Sequence, residues 1–212
     1  MPIANAEANG LPLRRGILHA MAPQTVRQIP RPRVTWAEYR QLPDDGNRYE
    51  VLEGELVVIP APEYRHQSAF LNIIFLLEVW RRRQRDPGKI LGAPFDVLLA
   101  DDTIVQPDIL YMSEQTRRLI VEGRLHGAPD LAIEIFNARG AARDRVSKLQ
   151  IYARFLVKEY WLVDLEARSI MMLALREDGT YEQFASGTGD SSLASRILAG
   201  FSLKPSDAFE DC

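Results

Sequence analysis

Two short apolar segments, each carrying a carboxylate, constrain this chain more than any other feature of its sequence. The segments are Val105-Gln106-Pro107-Asp108-Ile109-Leu110-Tyr111 and Pro129-Asp130-Leu131-Ala132-Ile133-Glu134-Ile135-Phe136. Their branched apolar residues and flanking turn residues predict two buried strands. Because an unpaired carboxylate is costly to bury, Asp108 and Glu134 each need a partner, and a divalent cation is one. If the strands are neighbours, both carboxylates can bind one cation; in the alternative, each is capped by backbone N–H groups.

The length of 212 residues suits one globular domain with a substantial core. Charged residues make up 26% of the chain and hydrophobic residues 46%, and both values are ordinary for a soluble globular protein. The first 33 residues are rich in Pro, Ala, Asn and Arg and lack sustained periodicity, which is typical of a flexible tail. We therefore expect a flexible tail at 1–33 and a single domain at 34–212.

The single cysteine, Cys212, excludes a disulfide within the chain and a cysteine-based zinc site. Such cysteine usage favours a reducing cytoplasm. The longest apolar stretch, within 69–80, is interrupted by Asn72 and Glu78 and is too short to span a bilayer, so no membrane partner is expected. The net charge of −3 neither favours nor excludes a nucleic-acid partner.

The stretch from 48 to 59 has the pattern of a β-hairpin. Glu53-Gly54 is related to the Asp-Gly turns that connect two strands, and it lies between two apolar runs. Counting outward from this turn pairs Glu50 with Val57 and places Glu50 on a face with apolar residues. We therefore expect Glu50 to be a partly buried carboxylate, whereas Glu53 lies at the exposed tip.

Helical and strand patterns alternate along the rest of the domain. Apolar residues recur at helical spacing over 66–84 and 142–156, which predicts two helices, and Lys148 lies at the edge of the apolar stripe of the second. His66 begins the stripe of the first helix, where a structural donor is a more common role than a ligand. Strands are predicted at 90–93, 96–100, 104–111, 131–136, 159–164, 169–175 and 181–184. This order gives an α/β fold with a mixed central β-sheet flanked by helices and an N-terminal β-hairpin.

The two strand carboxylates resemble the PD-(D/E)xK nuclease pattern, in which an Asp and a Glu on adjacent strands hold Mg²⁺ beside a lysine. Asp108 follows a proline and lies 26 positions before Glu134, but the lysine position is occupied by Phe136. A second Pro-Asp pair ends at Asp130. On one strand, Asp130 and Glu134 would be about 13 Å apart, which is too far for them to share an ion bound at about 2.1 Å. Asp108 is therefore the better first carboxylate.

A longer set of motifs indicates which residue takes the place of the missing lysine. The chain resembles the Uma2 family of restriction-endonuclease-like proteins over residues 34 to 203. The resemblance is carried by Thr35-Trp-Ala-Glu-Tyr, Leu42-Pro-Asp-Asp-Gly, Tyr49-Glu-Val-Leu-Glu-Gly-Glu-Leu, Pro60-Ala-Pro with His66, Ala93-Pro-Phe-Asp-Val, Gln106-Pro-Asp-Ile, Gly127-Ala-Pro-Asp-Leu with Ile133-Glu, Asp144-Arg with Lys148 and Tyr152, and Glu159-Tyr-Trp-Leu-Val-Asp. In that family the lysine has moved from the strand to the following helix, and the matching residue here is Lys148.

The resemblance implies a restriction endonuclease-like fold. It also implies a metal-dependent endonuclease that hydrolyses phosphodiester bonds, with DNA expected as the substrate in preference to RNA. The implied catalytic residues are Glu50, Asp108, Glu134 and Lys148. Of these, Asp108, Glu134 and Glu50 would bind Mg²⁺, with Mn²⁺ as a substitute, and Lys148 would stabilise the developing charge or orient the attacking water. We expect the three carboxylates to converge on one point and the Lys148 ammonium to face Asp108 and Glu134.

Two features near Glu134 bear on substrate binding. The family usually follows its strand glutamate with a Ser-Pro-Ser-Thr-like segment, whereas this chain has Asn137-Ala138-Arg139-Gly140. Between residues 117 and 158 the chain carries nine basic and four acidic residues, which predicts a phosphate-binding face that includes Arg139, Arg143 and Arg145. The alternative is a solvated helix surface, because no aromatic residues alternate with the basic ones.

Two other classes of function stay open at this point. The first is a nuclease-derived module that binds DNA or a protein without cutting, and the second is a structural or dimerising protein. Together, Asp108, Glu134 and Lys148 favour an enzyme, because a site without activity has no physical need for all three. The expected partner is nucleic acid, and a homodimer is compatible with the sequence.

Overall fold

The computed structural model describes residues 33–137 and 142–212, with only the backbone described for 142–145. The described residues from Arg33 to Cys212 belong to one compact unit. Apart from Arg33, the predicted tail at 1–33 lies outside the described residues. No helix in the described part of the chain is long and apolar enough to cross a bilayer.

Helices and strands alternate along the described chain. The helices are α1 Trp36–Tyr39, α2 Tyr64–Gln84, α3 Glu114–Arg117, α4 Ala142–Arg154 and α5 Pro205–Ala208. The strands are β1 Arg48–Leu52, β2 Glu55–Ile59, β3 Lys89–Gly92, β4 Val97–Ala100, β5 Thr103–Val105, β6 Ile109–Met112, β7 Ile120–Val121, β8 Arg124–His126, β9 Leu131–Phe136, β10 Glu159–Asp164, β11 Ser169–Leu175, β12 Tyr181–Thr188, β13 Leu193–Ala194 and β14 Ser202–Leu203. The sequence patterns did not predict β7, β8, β13, β14 and α5.

The longer strands form two six-stranded mixed sheets. The first has the order β2-β1-β5-β4-β8-β7 and the second the order β12-β11-β10-β9-β6-β3. Each contains one parallel pair, β4 with β8 in the first sheet and β9 with β10 in the second, among antiparallel pairs. The predicted α/β fold class, with mixed sheet flanked by helices, is confirmed, although the strands are divided between two sheets rather than gathered in one.

The second sheet has an apolar cluster on each face. On one face α2 contributes Ala69, Ile73 and Leu77, which pack with Ile133 of β9. The other cluster joins residues of the first sheet to Ala132 of β9 and Tyr152 of α4. Each fully buried aliphatic side chain stabilises such a cluster by about 1.5 to 3 kcal/mol. Because β9 is covered on both sides, the position of Glu134 is fixed by the core around it.

The hairpin has the predicted register. Glu50 of β1 pairs with Val57 of β2, and Leu52 pairs with Glu55. Both turn residues have positive φ, 52° at Glu53 and 88° at Gly54, as a type I′ turn requires. The hairpin therefore presents Glu50 on its buried side, where its exposed fraction is 1%.

The predicted continuous strand at 104–111 is wrong. β5 belongs to the first sheet and β6 to the second, and the chain crosses between them at Gln106-Pro107-Asp108. Pro107 has no N–H to donate to a ladder, so a strand is readily interrupted there. The backbone N–H of Gln106 instead donates to the Glu50 carboxylate at 2.7 Å. The crossing places Asp108 between the two sheets.

Candidate active site

Lys148 of α4 brings two buried carboxylates together. Its Nζ lies 3.0 Å from Oε1 of Glu134 and 3.0 Å from both carboxylate oxygens of Glu50. The Tyr152 hydroxyl, one helical turn further along α4, donates to the same oxygen of Glu134 at 2.7 Å. The predicted orientation of Lys148 towards Glu134 is confirmed, and Glu50 is a further partner that the prediction did not give to Lys148.

Asp108 lies beside this cluster at the end of the crossing segment. Its Oδ2 accepts a hydrogen bond from the backbone N–H of Ile135 at 2.8 Å, which links it to the residue after Glu134. The Nε2 atom of His66, in the first turns of α2, lies 3.3 Å from the same oxygen. The imidazole of His66 thus lies next to the Asp108 carboxylate, and its role as a structural donor stays a prediction.

A cleft of about 980 Å³ opens onto these groups. Asp108, Glu134, Lys148 and His66 line it, and Glu50 lies behind Lys148. The hairpin forms one wall of the cleft, and α4 with the end of β9 forms another. In the described part of the chain, two buried side-chain atoms without a hydrogen-bond partner, Nδ1 of His66 and Oδ1 of Asn137, belong to residues of this lining. The cleft thus combines buried charge with polar atoms open to a ligand.

The cluster carries more negative than positive formal charge. Burial raises the pKa of Glu134, and the Asp108 and Glu50 carboxylates raise it further, whereas Lys148 opposes the shift. Burial and the Glu134 carboxylate likewise raise the pKa of the Tyr152 phenol, which therefore stays protonated and donates. Perturbed carboxyl groups in a cleft are a common property of functional sites.

The donor set suits a hard divalent cation at Asp108 and Glu134. In the described part of the chain, protein hydrogen bonds reach Oδ2 of Asp108 and Oε1 of Glu134, but none reaches the second oxygen of either carboxylate. Carboxylate oxygens are the ligands that Mg²⁺ prefers, and a cation would offset the excess negative charge. Glu50 is less suited to this role, because both its oxygens lie against Lys148.

The arrangement of Glu50, Asp108 and Glu134 is set by Lys148. Among the described residues, no three His, Cys, Asp or Glu side chains are close enough to form a metal site. Glu50 and Glu134 both contact the Lys148 ammonium, and Asp108 lies beside them, close enough to raise the pKa of Glu134, so the convergence of all three carboxylates on one cation stays a prediction. The ammonium satisfies the two buried carboxylates that would otherwise repel each other.

Much of the predicted basic face is neutralised by acids. Among the basic residues of 117–158 whose side chains are described, ion pairs join Arg118 to Glu114, Arg124 to Asp96, Arg154 to Glu53 and Lys158 to Asp130. Arg139 and the side chains of Arg143 and Arg145 lie outside the described residues, so their assignment to nucleic-acid binding stays a prediction. Asp130 also accepts a hydrogen bond from the backbone N–H of Ser113 at 2.7 Å, so its carboxylate is occupied by contacts within the fold. The spacing along the strand had already placed Asp130 too far from Glu134 to share an ion with it.

The sequence patterns did not single out two side chains of the cleft, Arg48 and Gln106. Arg48 lies two positions before Glu50 on β1, so strand alternation alone places both on one face. Gln106 directly precedes the Pro-Asp pair, and its side-chain oxygen accepts from Nε of Arg48 at 3.1 Å. The alternation of Arg48 with Glu50 and the position of Gln106 before the Pro-Asp pair can both be read from the sequence. They do not stand out there because neither an arginine nor a glutamine is unusual in a strand.

Comparison with known proteins agrees with this architecture. The model of the Uma2 family, described as "Putative restriction endonuclease", matches residues 36–206. A solved structure from Anabaena variabilis ATCC 29413, described as a putative nuclease belonging to DUF820, is similar with a TM-score of 0.68 and 18% sequence identity, over 83% of this chain and 97% of that one. A search of curated proteins finds no match. Since the family model spans most of its length, this chain belongs to the Uma2 family.

Proposed function

We propose that this protein is a metal-dependent endonuclease that hydrolyses phosphodiester bonds, with DNA as the preferred substrate. The observation that carries the proposal is the buried Lys148 ammonium held between Glu134 and Glu50 at the floor of a cleft that Asp108 also lines. Burying such a cluster is costly to the fold, and a divalent cation held at Asp108 and Glu134 would offset its excess negative charge and let a phosphate approach Lys148.

Each residue of the cluster has a distinct role in this proposal. Asp108 and Glu134 would hold Mg²⁺, or Mn²⁺ in its place, which polarises a phosphate oxygen and acidifies a bound water. Lys148 stabilises the charge that develops on the phosphate when water adds and the bond to the leaving oxygen breaks. Glu50 orients the Lys148 ammonium. Tyr152 fixes one oxygen of Glu134, which leaves the other for the ligand.

The deciding experiment incubates purified protein with supercoiled plasmid, single-stranded DNA and RNA in Mg²⁺, Mn²⁺ or EDTA. We expect nicking or linearisation of the plasmid with Mg²⁺ or Mn²⁺ and none with EDTA. A Lys148→Met protein purified in parallel excludes a contaminating nuclease. Protein that leaves all three substrates intact with both metals would rule out the enzyme.

A binding module that does not cut is the second candidate. It is favoured by one observation: within the described residues, the acidic side chains do not form a preassembled metal site. Such a module would bind nucleic acid with steep salt dependence, and its affinity would not respond to EDTA. Binding without cleavage by the wild-type protein would therefore select this candidate.

His66 should tune the metal affinity through Asp108. Replacing His66 by leucine removes the imidazole nitrogen that lies 3.3 Å from Oδ2 of Asp108, whereas His66→Gln keeps a polar N–H near the same position. Partners of a metal ligand typically affect metal affinity or activity by about 10- to 100-fold. We expect the leucine variant to need more Mn²⁺ for half-maximal cleavage by about that factor and the glutamine variant to lie close to wild type. Equal metal dependence in all three proteins would contradict this role.

A further inference from the structure

We propose that Arg48 binds a backbone phosphate of the substrate, an inference that rests on the proposed nuclease function. Arg48 lines the cleft together with Lys148, Asp108 and Glu134. Its Nε donates to Oε1 of Gln106 at 3.1 Å, and in the described part of the chain its two terminal nitrogens make no hydrogen bond or ion pair with protein. The guanidinium is therefore anchored at one end and open at the other.

The anchor of Arg48 is itself held by a buried network. The Gln106 amide nitrogen donates to Oδ1 of Asp96 at 2.8 Å and to the Tyr39 hydroxyl at 3.2 Å. Asp96 is held in turn by Nε of Arg124 at 3.1 Å. Because these contacts fix which end of the Gln106 amide faces the cleft, its oxygen is available for Arg48.

The Tyr39 phenol stabilises the same orientation. Burial, followed by the hydrogen bond to Asp96, raises the pKa of Tyr39, so its hydroxyl stays protonated and donates to Asp96 at 2.8 Å. The main chain of Gln106 also donates to Glu50. One residue thus couples the arginine on the wall of the cleft to the carboxylate beneath Lys148.

The cleft is lined by more acidic than basic side chains, so a cation such as Arg48 is needed there to attract a phosphate. The lining includes the acidic residues Glu53, Glu55, Glu63, Asp108, Glu134 and Glu166. The other ammonium or guanidinium group among the described lining residues, that of Lys148, contacts two carboxylates. A phosphate that approaches these acids needs a cation free to meet it, and Arg48 presents one.

The geometry of arginine also suits this ligand. With Nε occupied by Gln106, the two terminal nitrogens remain as a planar pair of donors, which matches two oxygens of a phosphate. A lysine at this position could donate to Gln106 or to a phosphate, but it lacks the fork that does both. Arg48→Lys should therefore lose part of the binding although it keeps the charge.

The test measures binding of a labelled DNA duplex in EDTA, so that it does not depend on cleavage, with Arg48→Gln, Arg48→Lys and wild type. We expect Arg48→Gln to bind about 10-fold or more weakly, as the loss of charge-assisted hydrogen bonds predicts. We also expect the slope of log affinity against log salt to fall in magnitude by about 0.9, the value for one phosphate contact. Arg48→Lys should keep the slope and bind with intermediate affinity.

The matched control is Arg82→Gln, which removes an arginine whose side chain is 75% exposed and paired with Glu78 outside the cleft. It should leave affinity and slope at wild-type values, and thermal unfolding shows whether each variant is folded. An Arg48→Gln protein that is folded and equals wild type in both quantities would overturn the inference while leaving the nuclease proposal intact. If the wild-type protein binds DNA without cutting it, the nuclease proposal is wrong, but the comparison of the Arg48 variants still tests whether Arg48 contacts a phosphate. A wild type that does not bind DNA or RNA even at low salt would overturn both.

Discussion

Replacing Lys148 by methionine is expected to abolish metal-dependent cleavage and to destabilise the fold. Methionine has a similar length but no charge, so Glu50 and Glu134 remain buried opposite each other without a cation between them. Removing one partner of a buried ion pair typically costs about 3 to 5 kcal/mol. Urea unfolding in EDTA measures the free energy of unfolding, and plasmid cleavage with Mn²⁺ measures activity.

The destabilisation should depend on pH with a defined sign. Burial already holds the pKa of Glu134 above its usual value of about 4.3, and loss of the Lys148 ammonium, which opposes that shift, raises this pKa further. The folded state then binds more protons than the unfolded state above that pH, so the free energy of unfolding falls as pH rises. The variant should therefore lie close to wild type near pH 4.5 and well below it at pH 8. A loss of stability independent of pH would point to packing and not to charge.

Two further variants separate the two effects of Lys148. The double variant Lys148→Met with Glu50→Gln should regain much of the stability, because one of the two opposed charges is gone, but it should remain inactive. Lys89→Met removes an exposed lysine at the start of β3 and serves as the control for stability and cleavage. If the double variant recovers cleavage, Lys148 serves only to offset the repulsion between the two carboxylates.

Turn residues and strand alternation predicted those parts of the site that depend on one helix, strand or hairpin alone. The Glu53-Gly54 turn and the alternation of β1 gave the hairpin register, and with it the burial of Glu50. Alternation along β9 placed Glu134 on the face of Ala132, which packs in the same cluster as Tyr152 of α4. Lys148 could be assigned from the family resemblance because it lies on that helix.

The partners within the site could not be predicted, because they depend on contacts distant in sequence. Glu50 and Lys148 are 98 positions apart, and they meet only because the chain changes sheets at Gln106–Asp108. Pro107 signals that the strand can be interrupted there, but no local pattern shows that the two halves belong to different sheets. The ion pair of Asp130 with Lys158 is equally nonlocal, and it is one reason why counting basic residues overestimated the basic face.

Replacing Asp108 by asparagine should separate metal chemistry from structure. Asparagine keeps an oxygen that can accept from the Ile135 N–H, so the backbone contact and the shape survive while the charge is lost. We expect cleavage to fall by at least about 100-fold, since even the partners of metal ligands contribute 10- to 100-fold, and Mn²⁺ affinity to fall with it. Glu134→Gln should behave in the same way.

DNA affinity should respond in the opposite direction to cleavage. Asp108→Asn removes a negative charge that faces the phosphate, so in EDTA the variant should bind DNA as tightly as wild type or more tightly, whereas Arg48→Gln should bind more weakly. Glu177→Gln, which changes an exposed acid in the turn between β11 and β12, is the control for net charge. If Asp108→Asn cleaves at the wild-type rate, the carboxylate only caps the backbone of Ile135, and the metal must be bound without it. If it loses both cleavage and DNA affinity yet stays folded, Asp108 contacts the substrate directly, and the division of roles proposed for the cleft is wrong.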